Sequence, residues 1–270
     1  MMRTIRFSAI LPATCALLAC APPSQAAITT LIEDTFTGFS GAIGGRTPDT
    51  SFNDLKWTTS AGTLVFNGNG NGGLDVSHAY SRTTSFDLGA GYFAANPGIY
   101  ELSVSITNAS GINKEHWIGL ALGTGDSSGN AAGGASAASY GAGPFLVYRL
   151  NSQVEIFAGP NNTNSLTTLN ATTGQAHTFT IRLDTVTDAS KWSFQVLIDG
   201  SAVDLGGSST FTYNSSNPDN LRYLMLSTGG NGTDAAFARI DNFSFVSVPE
   251  PGVTFLAGLS ALTLLFRRRV

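Results

Sequence analysis

Apolar and polar residues alternate one for one along several stretches of this chain. Tyr100, Leu102, Val104 and Ile106 alternate with Glu101, Ser103, Ser105 and Thr107. Phe179, Ile181 and Leu183 alternate with Thr180, Arg182 and Asp184, and Trp192, Phe194, Val196 and Ile198 repeat the pattern. Successive side chains of a strand point to opposite faces, so each stretch predicts a strand with one apolar face. Helical periodicity is almost absent between Ala27 and Ser247. Turn-forming clusters separate the strands: Asn67 to Gly73, Asn161 to Asn164, Asp199-Gly200 and Thr228 to Gly232. Many short strands, each apolar on one side, bury those sides by packing as two sheets. The expected fold is therefore all-β, an antiparallel β-sandwich over residues 27–247, read as one domain because no linker interrupts the strands.

Particular segments sharpen this. Ile32-Glu33-Asp34-Thr35-Phe36 opens the body as a strand, and Ala238-Arg239-Ile240-Asp241-Asn242-Phe243 begins the last one. Between them lie Trp117-Ile118-Gly119-Leu120-Ala121-Leu122-Gly123 and a strand pair, His177 to Gly200, ending in Ile-Asp-Gly. The pattern resembles the concanavalin A-like, laminin G-like jelly-roll superfamily, without a diagnostic motif. An immunoglobulin-like sandwich is the alternative, although the strand count exceeds its usual seven or so.

The two ends read differently. Arg3 and Arg6 precede an apolar run from Ile10 to Cys20, and Ser24-Gln25-Ala26 supplies small residues before Ala27. This predicts a secretory signal over residues 1–26, cleaved before Ala27. Leu17-Leu18-Ala19-Cys20 also fits a loose lipobox, which would instead make Cys20 a lipidated N-terminus. At the other end, Val248-Pro249-Glu250-Pro251 leads into an uncharged run, Gly252 to Phe266, followed by Arg267, Arg268 and Arg269. As a helix those fifteen residues would span about 22 Å, short against a hydrocarbon core of roughly 30 Å. The prolines bar a helix upstream, and the arginines act as a cytoplasmic stop whose long side chains can extend a short span by snorkelling. Residues 248–270 resemble the PEP-CTERM sorting signal of Gram-negative bacteria. That resemblance implies a transmembrane segment at 252–266 and recognition of the tail by an exosortase at the inner membrane. It also implies a body held first in the periplasm and then released to the cell surface or matrix, in association with exopolysaccharide or biofilm.

Composition narrows the possible chemistry. Only 12% of the 270 residues are charged and the formal charge is −4. Setting aside Arg3, Arg6 and the three tail arginines leaves a more acidic body with no basic patch, which argues against nucleic acid as a partner. Both cysteines, Cys15 and Cys20, lie in the signal. The exported body therefore has no disulfide and relies on its core, and thiol chemistry and cysteine metal sites are excluded.

Catalytic patterns are sparse. Glycoside hydrolysis needs two carboxylates roughly 5 to 9 Å apart, and laminarinase-like jelly rolls carry them on one strand as Glu-x-Asp-x-x-Glu. That pattern is absent: Glu33, Glu101, Glu115, Glu155 and Glu250 stand apart from one another. His78, His116 and His177 are isolated, no serine sits in a Gly-x-Ser-x-Gly elbow, and no histidine pair has metal spacing. The expectation is a non-catalytic body.

Two places hold other candidates. Glu33 or Asp34 on the first strand and Asp241 on the last would meet if the terminal strands pair, and hard oxygen ligands suit calcium. Ile240 and Phe243 are three apart, so the apolar phase slips at Asp241-Asn242, and a bulge there would re-aim Asp241. The jelly-roll resemblance implies a structural calcium at a comparable place in some members; exposed strand-end acids are the plain reading. Gly123 to Gly143 has no apolar period and is either disordered or a binding loop. As a binding loop it would present Tyr140, with Trp117, Tyr148 and Arg149 on the flanking strands, to a sugar face; those side chains could equally be core. The sequence thus describes an exported surface or matrix protein with a non-catalytic jelly-roll body, with a carbohydrate-binding module as the alternative and a glycoside hydrolase behind both.

Overall fold

The computed structural model describes residues 27–59, 66–70, 72–76, 82–108, 116–124, 143–149, 152–158, 165–168, 174–205, 207–213, 220–229 and 238–249. The signal (1–26), Glu250-Pro251, the apolar span 252–266, the terminal arginines and Tyr140 lie outside the described residues, as does most of Gly123 to Gly143.

Two antiparallel sheets form a sandwich. The larger sheet runs β15 (Ser201–Ala202), β14 (Ser193–Ile198), β13 (Ala176–Asp184), β8 (Ile99–Asn108), β18 (Ala238–Val248), β6 (Leu74–Val76), β5 (Phe66–Asn69) and β2 (Ser40–Ala42). Beside this path, β1 (Thr29–Asp34) pairs with both β18 and β3 (Thr50–Ser51), and β16 (Phe211–Thr212) pairs with β14. The seven-stranded sheet runs β12 (Ser165–Thr168), β11 (Gln153–Phe157), β10 (Phe145–Arg149), β9 (Trp117–Gly123), β17 (Tyr223–Gly229), β7 (Arg82–Asp87) and β4 (Thr58–Thr59). Among the described residues helix is confined to short turns such as α1 (Tyr92–Ala95), and none is long and apolar enough to cross a membrane.

The alternation in the sequence becomes the two faces of the larger sheet. Every second residue of β8 from Tyr100 to Asn108 is buried, and the intervening ones are half-buried. Phe179, Ile181 and Leu183 of β13 and Phe194, Val196 and Ile198 of β14 join that inner face. From the seven-stranded sheet, Ile118, Leu120, Leu122, Leu146, Tyr148, Val154, Ile156, Leu224 and Leu226 meet them. Tyr148 and Phe179 face each other across the core, ring centroids 4.8 Å apart.

First and last strands do pair, with Thr29 opposite Ser247 and Asp34 opposite Phe243. Between Asp241 and Ser244 the register of β18 against β8 shifts. Asn242 takes a φ of 50° there, so the phase slip in the sequence is a bulge. The bulge returns Phe243 to the core, where it packs edge-on to Trp57 at 4.8 Å.

Candidate functional site

The outer face of the seven-stranded sheet is where residues gather that the core does not require. On β9, Ile118, Leu120 and Leu122 point inward, so Trp117, Gly119, Ala121 and Gly123 occupy the outer face. Register extends this into rows. Arg149 lies opposite Trp117, and Trp117 opposite Gly229. Glu155, Val147, Gly119, Ser227 and Thr83 form the next row. Phe157, Phe145, Ala121, Met225 and Ser85 form a third, and Gly123, Tyr223 and Asp87 a fourth.

This face holds a second apolar cluster, separate from the sandwich core: Trp117, Ala121, Phe145, Val147 and Met225, bordered by the half-buried Phe157 and Tyr223. Two glycines set the pose of its large rings. A Cβ at Gly229 would lie 2.3 Å from the Trp117 ring, and one at Gly119 would lie 2.5 Å from the Phe145 ring. Each ring therefore crosses a neighbouring strand where only hydrogen leaves room. Phe145 and Phe157 stack at 5.4 Å with planes 27° apart.

Two arginine–carboxylate forks sit among these rings. Arg149 donates from Nε to Glu155 Oε1 at 2.5 Å and from Nη2 to Oε2 at 3.1 Å. Glu155 is buried and Arg149 about a third exposed. At the far corner Arg222 donates from Nε to Asp87 Oδ1 at 2.8 Å and from Nη2 to Oδ2. The Arg222 guanidinium also lies 4.9 Å from the centre of the Tyr223 ring. Burial works against ionisation of Asp87, but donors from Arg222, the Gly89 N–H and Tyr223 outweigh it and hold its carboxyl below the ordinary 3.8. Glu155 and Asp87 stand on strands four positions apart. At the usual spacing that is roughly 19 Å, beyond the separation over which two carboxylates share a glycosidic bond.

Of the residues singled out in the sequence, Trp117 and Arg149 come together on this face as register partners. Tyr148 does not join them; it is a core residue. His116 is buried where β9 begins, and His177 bonds Asp199 through Nδ1 at 2.7 Å. Phe145, Phe157, Tyr223, Met225 and the two forks were missed. Glu155 and Arg149 are six apart in sequence on adjacent strands, a hairpin spacing that carries the only sequence trace of their pairing.

The calcium candidates separate. Strand alternation turns Glu33 outward and Asp34 inward, where Asp34 is fully buried. The Asp34 carboxylate accepts hydrogen bonds from Arg46 Nε and Nη2, from Trp57 Nε1 at 2.9 Å and from the Phe36 N–H at 2.9 Å. It faces a guanidinium, where a cation has no place. Asp241 accepts from the Asn242 N–H on the bulge. Asp34 is thus committed to Arg46 and faces away from Glu33, and no three His, Cys, Asp or Glu side chains among the described residues group as metal ligands.

No family model and no curated protein sequence matches this chain. Solved structures do match its fold. An endo-1,3-β-glucanase from Streptomyces sioyaensis superposes with a TM-score of 0.52 at 15% identity, covering 86% of this chain and 100% of that one. The carbohydrate recognition domain of Emp46p gives 0.42 at 8% identity over 70% of this chain and 86% of that one. Sheep galectin-11 gives 0.36 at 13% identity over 63% and 98%. At 15% identity the likeness to the glucanase is one of fold alone.

Proposed function

We propose that this chain is an exported, non-catalytic jelly-roll protein of the cell surface or extracellular matrix that associates with polysaccharide through the outer face of its seven-stranded sheet. The observation that carries this reading is the combination of rings and forks on that face. The half-buried Phe157 and Tyr223 rings border the buried cluster and offer apolar surface to sugar rings, and an arginine–carboxylate fork offers donors and acceptors together. Glu155 and Asp87 are each closed by an arginine and stand far apart, which supports binding over hydrolysis. The neighbour named for acting on a 1,3-β-glucan supports carbohydrate as the ligand class. Delivery rests on the ends of the chain: the signal at 1–26 directs export, and the tail at 248–270 directs exosortase sorting.

Protein collected from the medium of producing cells provides the test. Its mass is expected to lack residues 252–270. It is expected to be retarded in gels containing polysaccharide without releasing reducing ends. Replacing Phe157 or Tyr223 by Ala is expected to weaken retardation about tenfold, equivalent to ~1.4 kcal/mol. Retardation by no glycan would remove carbohydrate binding and leave a purely structural body; released reducing ends would make it a hydrolase.

A further inference from the structure

Resting on the polysaccharide reading above, we infer that the polymer this face accepts is neutral rather than anionic. The four charged side chains described on the face form two closed pairs. Recognition of a uronate, sulfate or phosphate draws on an open guanidinium whose fork can be occupied bidentately. Here both forks are occupied, Arg149 by Glu155 and Arg222 by Asp87. An anionic sugar would have to displace one of those carboxylates. Displacing Glu155 would strand a buried charge, since Glu155 is 7% exposed. A sugar hydroxyl meets no such conflict. It is both donor and acceptor, so it can give a hydrogen bond to the carboxylate and take one from the guanidinium without opening the pair.

The rest of the body points the same way by an independent route. Ala27 to Glu250 carries nine basic against eighteen acidic residues, a formal charge of −9. On the larger sheet Arg182 faces Glu101 at 3.0 Å, and Arg46 is engaged by Asp34 and Asp49. A polyanion therefore approaches an acidic body, and that repulsion acts over about 10 Å at 0.1 M salt.

Affinity electrophoresis of the exported protein in gels containing a neutral β-1,3-glucan or a polyuronate, each at low salt and at about 0.5 M salt, tests this. Expected is retardation by the neutral polymer that changes less than about twofold with salt, and none by the polyuronate. Asp87→Asn opens the Arg222 fork at a partly exposed site, and is expected to gain polyuronate retardation that salt abolishes. The melting temperature of the variant verifies that it is folded. Wild-type retardation by the polyuronate, lost at high salt, would overturn neutrality while leaving polysaccharide binding intact. A folded Asp87→Asn variant that gains nothing would overturn the fork argument. Retardation by neither polymer would take down the underlying reading itself.

Discussion

Asp34 shows how one side chain can organise a region. Its carboxylate receives Arg46, Trp57 and the Phe36 N–H, which fastens the segment 35–57 to the first strand. Arg46 bridges onward to Asp49 at 3.2 Å, and its guanidinium sits 4.5 Å from the centre of the Phe39 ring. The pair is shielded, with side-chain exposures of 15% for Arg46 and 0% for Asp34. Removing one partner of a buried pair leaves the other charge uncompensated, so Asp34→Ala is expected to cost about 3–5 kcal/mol. Urea unfolding measures this, and a loss below about 1 kcal/mol would show that Arg46 finds water instead. Nothing in the sequence pairs Asp34 with Arg46 or Trp57, 12 and 23 residues away. Carboxylate, guanidinium and indole are each common on surfaces, and only the path of the chain brings them together.

At the level of strands, alternation was a sound guide for the larger sheet and a poor one for β9. All seven residues of Trp117–Gly123 are buried, the inward ones in the sandwich core and Trp117 and Ala121 among the neighbouring side chains of the second cluster. Periodicity reports the difference between two faces, and here there is none. The glycines of this sheet are specific to its pairing. Gly229 accommodates the Trp117 ring and Gly119 the Phe145 ring. Gly229→Ala is accordingly expected to lower stability by about 1–3 kcal/mol through overpacking and to shift the tryptophan fluorescence. An Ala variant with unchanged melting temperature and emission would mean that the ring has room to move. The bulge at Asp241-Asn242 was legible beforehand, since a three-residue gap between Ile240 and Phe243 breaks the two-residue period.

For the whole molecule, ionisation sets the limits of stability. Donors hold the carboxyls of Asp49, Asp87, Asp184 and Asp199 below the ordinary 3.8 against the opposing effect of burial. The folded state thus binds fewer protons there than the unfolded chain. That stabilisation is present above pH 3.8 and is lost as pH falls through the lowered values. At the alkaline end, burial, with the Tyr92 phenol beside it, pushes Tyr100 up to about 12. Its contribution is intact below the ordinary value of 10 and is lost as pH rises through about 12. Melting temperature is therefore expected to be flat around neutrality and to fall on both sides, below about pH 4 and above about pH 10. Equal melting temperatures at about pH 3 and pH 6 would contradict the acid limb.

By itself the sequence determined the fold class, the strands β1, β8, β13, β14 and β18 of the larger sheet, and the bulge in β18. Each of these follows from local periodicity, where side-chain direction is fixed by the pleat. Only the tertiary structure decided which face carries the candidate site. Arg149 and Glu155 are at hairpin spacing, but Arg222 with Asp87 joins residues 135 apart. Phe157, Phe145 and Met225 form one row only because β11, β10, β9 and β17 are neighbours in the sheet. Strand order is a property of the packed molecule: each strand's own pattern is satisfied by any partner that buries its apolar face, and the choice among partners is made by the fold as a whole.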